Sequence, residues 1–245
     1  MIPLRDDVPG HSRPFVTMAL VAINAAAFLY QLSLVFGGEG GASGDGAALV
    51  AEFGAVPCRL SGACASADEF PSPLVTVFTS MFLHGGVLHI GANMLYLWIF
   101  GDNVEDTLGH GRFLLLYLGA GFLAATTHAL AAPHSHVALI GASGAVAGVL
   151  GAYLQLFPYA SIVTLVTFGV FVRLIHIPAV LVLGFWLVLQ LVNGFLTMSV
   201  STRGAETGGV AWFALIGGFL AGVVLLFLLR PRTSVRSSLP KSARL

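Results

Sequence analysis

The chain has 245 residues, of which 57% are hydrophobic and only 9% charged, with a formal net charge of +0. Soluble domains carry about a quarter of their residues as charged side chains, so an ordinary soluble fold is excluded, and without net positive charge nucleic-acid binding has no electrostatic support. About 20 apolar residues suffice to cross a hydrocarbon core of ~30 Å as a helix. Runs of that kind recur along the chain, and the expectation is an all-α membrane protein, a polytopic bundle of about six transmembrane helices. The bundle is expected over residues 14–229, between a polar segment 1–13 and a basic tail 230–245.

Residues 1–13 carry Arg5 and Arg13 around Asp6 and Asp7 and are assigned to the cytoplasm. Residues 14–36 form the first span: the run is too long for the apolar core of a signal peptide, and no small-residue cleavage site precedes Gly37. Asn24 within it reads as a helix-packing group. Residues 37–73 are rich in Gly, Ala and Ser and set Glu39, Asp45, Glu52, Asp68 and Glu69 against the single Arg59. A loop so poor in Arg and Lys belongs outside, with short interfacial helix expected near residues 47–53. Cys58 and Cys64 both lie in it; their spacing outside the cytoplasm points to a local disulfide, two free thiols being the alternative. No other Cys or His stands at ligand spacing along the chain, so neither a metal nor another cofactor is expected.

The second helix is placed at residues 88–103. His89 and Asn93 are spaced i, i+4 and share one face; polar groups in a membrane helix face a partner or a wet cavity, either as a functional pair or as a structural clasp between helices. Asp102, Glu105 and Asp106 precede an inner turn at residues 108–112. The third helix spans residues 113–131, with His128 near its outer end, and a short outer loop at residues 132–137 holds His134 and His136. The fourth helix begins around Ser143 and stops before Pro158. Residues 159–176 read as an inner connection partly embedded at the interface. The fifth helix is placed at residues 177–196 with Gln190 and Asn193 as packing groups, an outer loop at residues 195–207, and the sixth helix at residues 208–229. Arg230, Arg232, Arg236, Lys241 and Arg244 follow with no acidic residue among them, which puts the C-terminus inside, near anionic lipid.

Ser143 stands between Gly141 and Gly144. The flanking glycines allow close approach of a substrate, and the helix N-terminus that follows aims free N–H groups at negative charge forming there. The competing reading makes Gly141, Gly144, Gly148 and Gly151 small-residue packing, with Ser143 one more small residue. Acyl transfer needs a nucleophile, donors for the oxyanion and a base. Ser143 supplies the first, and His89, Asn93 and the Ser143 N–H are candidates for the second.

These residues resemble the rhomboid family of intramembrane serine proteases. The resemblance is carried by His84, His89 and Asn93 ahead of the Gly101-Asp-Asn-Val-Glu105 helix end, by Gly141-Ala-Ser143-Gly144, by Pro158, and by the run from Gly208 through Gly217-Gly218 to Gly222. It implies about six helices around a water-filled cavity opening outward, with cleavage of single-span or polytopic membrane proteins near the ends of their transmembrane segments. It further implies Ser143 as nucleophile, His89 and Asn93 as oxyanion donors, and His84 with Gly141 supporting that pocket. Gly144, Gly148, Gly218 and Gly222 let the fourth and sixth helices approach closely. An integral membrane protein of the plasma (inner) membrane is expected, with both termini cytoplasmic.

The chain departs from the family at Leu215, where the pattern has the catalytic histidine. An isobutyl group neither takes the Ser143 proton nor returns it to a leaving amine. In a soluble serine protease, loss of the histidine alone costs on the order of 10⁶ in kcat. The expectation is therefore a serine-endopeptidase scaffold with an impaired dyad, a pseudoprotease. Two alternatives are a non-catalytic binding or trafficking module for client membrane proteins, and an active protease with another base from among His84, His128, His134 and His136. No Trp-Arg pair, a feature of some members, occurs in the first outer loop. A transporter is disfavoured because no inverted repeat and no chain of intramembrane carboxylates is present.

Overall fold

A computed structural model describes residues 2–37, 44–64, 71–168, 171–201 and 211–230. Strand β1 (Ile2–Arg5) leads to the long helix α1 (Phe15–Gly37), then to the short helices α2 (Asp45–Phe53) and α3 (Pro57–Ser61). Helix α4 (Pro73–Thr79) and a 3₁₀ turn (Ser80–Phe82) bend by 86° into α5 (Val87–Leu108). Helices α6 (His110–Ala131) and α7 (Ser143–Leu156) precede strands β2 (Ser161–Phe168) and β3 (Phe171–Pro178), and α8 (Ala179–Ser201) and α9 (Trp212–Leu229) close the described chain.

The protein is a helical membrane bundle. By length and composition α1, α6 and α9 can each cross a membrane, and the bent pair Pro73–Phe82 plus Val87–Leu108 makes a fourth. Ser143–Leu156 and Ala179–Val192 are shorter apolar helices, so the expected six is reached only if both are counted as spans. The outer helix expected near residues 47–53 is α2. Of the outer loop expected at residues 195–207, residues 195–201 instead continue helix α8, because the apolar run carries the helix past the expected end at 196, and residues 202–207 lie outside the described residues, as does nearly all of the basic tail.

Helix α7 is the centre. Every residue from Gly144 to Tyr153 is buried, and α7 packs against α5, α6, α8 and α9. Its glycines set the packing distances. A Cβ on Gly148 would collide with the Cβ of Ala120 on α6, and one on Gly222 of α9 would collide with the Gly148 carbonyl oxygen. The pairs Gly144–Gly218 and Gly148–Gly222 step forward together, so α7 and α9 run parallel in backbone contact.

The bundle carries a three-stranded antiparallel sheet in the order β1-β2-β3. Residues 159–176, read from the sequence as an embedded connection, form most of its hairpin, with Val163 opposite His176 and Leu165 opposite Leu174. The density of Val, Ile and Thr explains this: β-branched residues fit a pleated surface. Strand β1 adds to the edge with Ile2 opposite Leu165.

The N-terminal segment is bound to the bundle by polar contacts. Tyr153 Oη and Asn103 Nδ2 donate to Asp6 Oδ2 at 2.6 and 2.7 Å, and Ser161 N donates to Asp7 Oδ1 at 2.8 Å. Glu105, fully buried, accepts the backbone N–H groups of Val16 and Thr17 at 2.8 Å each and the Thr17 hydroxyl at 2.7 Å. A helix N-terminus leaves such N–H groups without intrahelical partners, so Glu105 caps α1 from a neighbouring helix.

Candidate active site

Ser143 opens α7 and lines a small cavity with Ser80, Met81, Gly141, Gly144 and Ala214. The segment leading to it is held by backbone bonds. Leu139 exchanges hydrogen bonds with Ala55 at 2.8 and 3.0 Å, and Gly141 N donates to Ser80 O at 2.8 Å. Gly141 adopts φ +111°, a left-handed conformation that a side chain would strain. Space forbids a side chain there as well, since a Cβ would lie 2.6 Å from His89 Nε2 and 3.6 Å from Asn93 Nδ2.

His89 and Asn93, one turn apart on α5, therefore both reach the backbone beside Ser143. Gly85 N donates to His89 Nδ1 at 3.2 Å. A neutral imidazole that accepts at Nδ1 carries its proton on Nε2, so the nitrogen facing Gly141 is the donor. Asn93 is buried and its Nδ2 has no hydrogen-bond partner among the described residues. Buried polar groups are otherwise nearly always paired. Among the described residues the Asn93 donor is thus left without an acceptor, beside the same glycine that His89 Nε2 faces.

His84 stands behind this pair. Its Nε2 lies 3.5 Å from the Ala142 N–H, and its ring meets that of His89 edge-on with centroids 5.1 Å apart. Its backbone is clasped by Gln31 of α1: His84 N donates to Gln31 Oε1 at 2.9 Å and Gln31 Nε2 donates to His84 O at 3.3 Å. Gln31 and Ser80 were not singled out from the sequence. A Gln in a largely apolar span, two turns past Asn24, was the signal available for the first.

Leu215 is buried on α9. It lies three residues before Gly218, on the same stripe and one turn nearer the N-terminus of that helix. Because Gly218 rests on Gly144 in a parallel pair of helices, position 215 lies level with the start of α7. Among the described residues no hydrogen bond joins Ser143 Oγ to any histidine. His128 is on α6, with its Nδ1 unpartnered among the described residues, and His136 is beside Cys58. Cys58 and Cys64 are joined by a disulfide with Cα atoms 5.2 Å apart.

A family model described as the Rhomboid domain matches residues 71–232. Rhomboid protease GluP of Bacillus subtilis is 34% identical over 149 residues, covering 61% of this chain and 25% of that protein. Mitochondrial rhomboid protein 1 of Saccharomyces cerevisiae is 35% identical over 103 residues, 40% of this chain and 30% of that protein. Inactive rhomboid protein 1 of Drosophila melanogaster is 28% identical over 88 residues, 36% of this chain and 6% of that protein. The matched part spans a third or less of the length of each of these three relatives.

Proposed function

The chain belongs to the rhomboid family, and from that premise we propose that it is a serine-endopeptidase scaffold that receives transmembrane segments of other membrane proteins but lacks the base needed to cut them efficiently. The observation that carries this reading is the convergence of His89 Nε2 and Asn93 Nδ2 on Gly141 beside Ser143, with a leucine at position 215 of the facing helix.

The chemistry follows from that arrangement. Attack of Ser143 Oγ on a scissile carbonyl would develop an oxyanion, which His89 Nε2–H, Asn93 Nδ2–H and the Ser143 N–H would stabilise. Such preorganised donors are worth about 10²–10³ each in kcat. The serine proton has no acceptor at Leu215. An oxyanion pocket without its base retains about 10³–10⁴ over water, so slow turnover and stable substrate binding are expected together.

The depth of the site fits a substrate within the bilayer. Fourteen residues of α7 rise only about 21 Å, against ~30 Å of hydrocarbon, so Ser143 would be recessed from one face. The basic tail supports cytoplasmic termini, and on this reading the protein lies in the plasma membrane with the cavity opening to the outside. A second reading, a holder of client helices with no chemistry, is favoured by the buried leucine itself.

The test compares the chain, Leu215→His, and Leu215→His with Ser143→Ala, in proteoliposomes containing a single-span substrate. Cleavage by Leu215→His alone supports the reading. Efficient cleavage by the unaltered chain overturns it, because another group would then be the base. Substrate binding without cleavage by any variant favours the client holder.

A further inference from the structure

Away from Ser143, the tertiary structure brings His136 to the Cys58–Cys64 pair, 78 residues from Cys58 along the chain. His136 Nδ1 lies 3.5 Å from Cys58 Sγ, and the ligand atoms of Cys58, Cys64 and His136 all fall within 4.8 Å of one another. We propose that this cluster is a redox-gated metal site, closed as a disulfide and able, once reduced, to take a zinc-like divalent ion on two thiolates and one imidazole.

The geometry agrees with that coordination. Zinc binds sulfur at about 2.3 Å and imidazole nitrogen at about 2.0–2.1 Å, tetrahedrally, so an S···N edge of about 3.5 Å is required. The Cys58–His136 separation has that value before any ion is bound. After reduction the two sulfurs have to part to roughly 3.8 Å for a tetrahedral pair, and Cys64 has to adjust within the 4.8 Å that encloses all three ligand atoms.

The two segments that carry the ligands are fixed to each other independently of the disulfide. Cys58 N donates to Ser135 O at 3.0 Å, and Ala55 and Leu139 exchange two backbone hydrogen bonds. Ser61 Oγ donates to Pro133 O at 2.7 Å. His136 is therefore held beside Cys58 by the backbone whatever the state of the sulfurs. Cys58 is buried, Cys64 half-buried and His136 exposed, which leaves the imidazole side as the way in and one coordination position for water.

The chemistry balances with a dithiol or phosphine reductant. Two electrons and two protons break the sulfur–sulfur bond and give two thiols; a dithiol supplies both and ends as its disulfide, whereas a phosphine supplies the electrons and water supplies the two protons and the oxygen of the phosphine oxide. Metal binding then releases both thiol protons, because the ligands are thiolates. Leu139, three residues past His136, is the residue bridged to Ala55, so the bound ion would tie the outer loop to the strand of chain that leads into Ser143.

The test uses the full chain in detergent, reduced with a phosphine and titrated with cobalt(II) as the spectroscopic probe. One cobalt per chain with thiolate charge-transfer absorption is expected for the reduced protein and none for the oxidised one. His136→Ala should weaken binding at least tenfold and His134→Ala leave it unchanged, with helical circular dichroism confirming the fold in each case. Zinc should displace the cobalt. The absence of thiolate absorption in a reduced, folded chain overturns the proposal, as does unchanged affinity in His136→Ala.

Discussion

Gly218 of α9 rests against the backbone of Gly144 in α7, so closely that a Cβ on Gly218 would collide with the Gly144 carbonyl oxygen. Ser143 is the preceding residue, and Leu215 is one turn earlier on the opposing helix. The spacing of these two backbones therefore sets the width of the candidate site.

Gly218→Ala tests that spacing. Replacing a helical glycine by alanine ordinarily gains up to about 1 kcal/mol of helix propensity. Here the obstructing atom is a backbone oxygen that cannot rotate away, and overpacking costs about 1–3 kcal/mol. The net expectation is a lower thermal midpoint in detergent. A stabilised Gly218→Ala would mean that α7 and α9 are not in backbone contact.

Leu215→His should gain chemistry and lose stability. Position 215 is 7% exposed, and burying a polar group without a full set of partners costs about 1–3 kcal/mol. Labelling of Ser143 by a fluorophosphonate is expected to rise in this variant while the thermal midpoint falls. A rise in labelling with no loss of stability would place residue 215 in a wetter environment than its burial indicates.

Asn93→Ala, made in the Leu215→His background, should lower kcat by about 10²–10³ with little change in KM, as expected for a donor used only in the transition state. Its effect on stability should be small or favourable, since the buried Nδ2 has no partner to lose and an unsatisfied donor costs about 1–3 kcal/mol. A large fall in the thermal midpoint would instead assign Asn93 to the clasp between helices.

Glu105→Ala should be far more damaging than its distance from Ser143 implies. It would strip four hydrogen bonds from a fully buried carboxylate, including one with His110 Nδ1 at 2.6 Å, and leave the donors at the start of α1 unpaired. A loss of about 3 kcal/mol or more is expected, with Glu105→Gln milder. Thermal unfolding of both variants measures it; parity with the unaltered chain would dismiss the cap.

Asp6 links pH to the anchoring of the N-terminal segment. Burial raises its carboxyl above the ordinary range, opposed by the Tyr153 hydrogen bond, while Asp7 adds repulsion. A carboxyl with a higher pKa folded than unfolded binds its proton more tightly in the fold. Its contribution is full below the unfolded value and is lost as pH rises through the folded one. In a comparison with Asp6→Asn, the unaltered chain should therefore gain relative stability as pH falls toward about 3.9. A flat difference, or one of opposite sign, would show that burial does not govern this group.

Much of the molecule was legible in the order of its residues. Low charge and long apolar runs record the solvent each segment meets, so the membrane class, the approximate ends of α1, α6 and α9 and the start of α5 follow from local pattern. Helix α5 runs on to Leu108, past its expected end at residue 103, because Asp102, Glu105 and Asp106 find partners or solvent without breaking the helix. The i, i+4 spacing put His89 and Asn93 on one face because a helix repeats every 3.6 residues. Ser143 between glycines and the leucine at 215 are visible without coordinates. The hairpin of β2 and β3 was missed because a short, dense apolar run has the same composition in a strand as in an interfacial segment, and only pairing distinguishes them.

Tertiary structure decided the rest. Glu105 meets α1 across 88 and 89 residues of chain, Tyr153 meets Asp6 across 147, and His136 meets Cys58 across 78. Periodicity reports which face of an element is buried but not which distant element covers it. Contacts of that range depend on how whole helices and strands pack, and their donors and acceptors find one another only once the apolar faces have met.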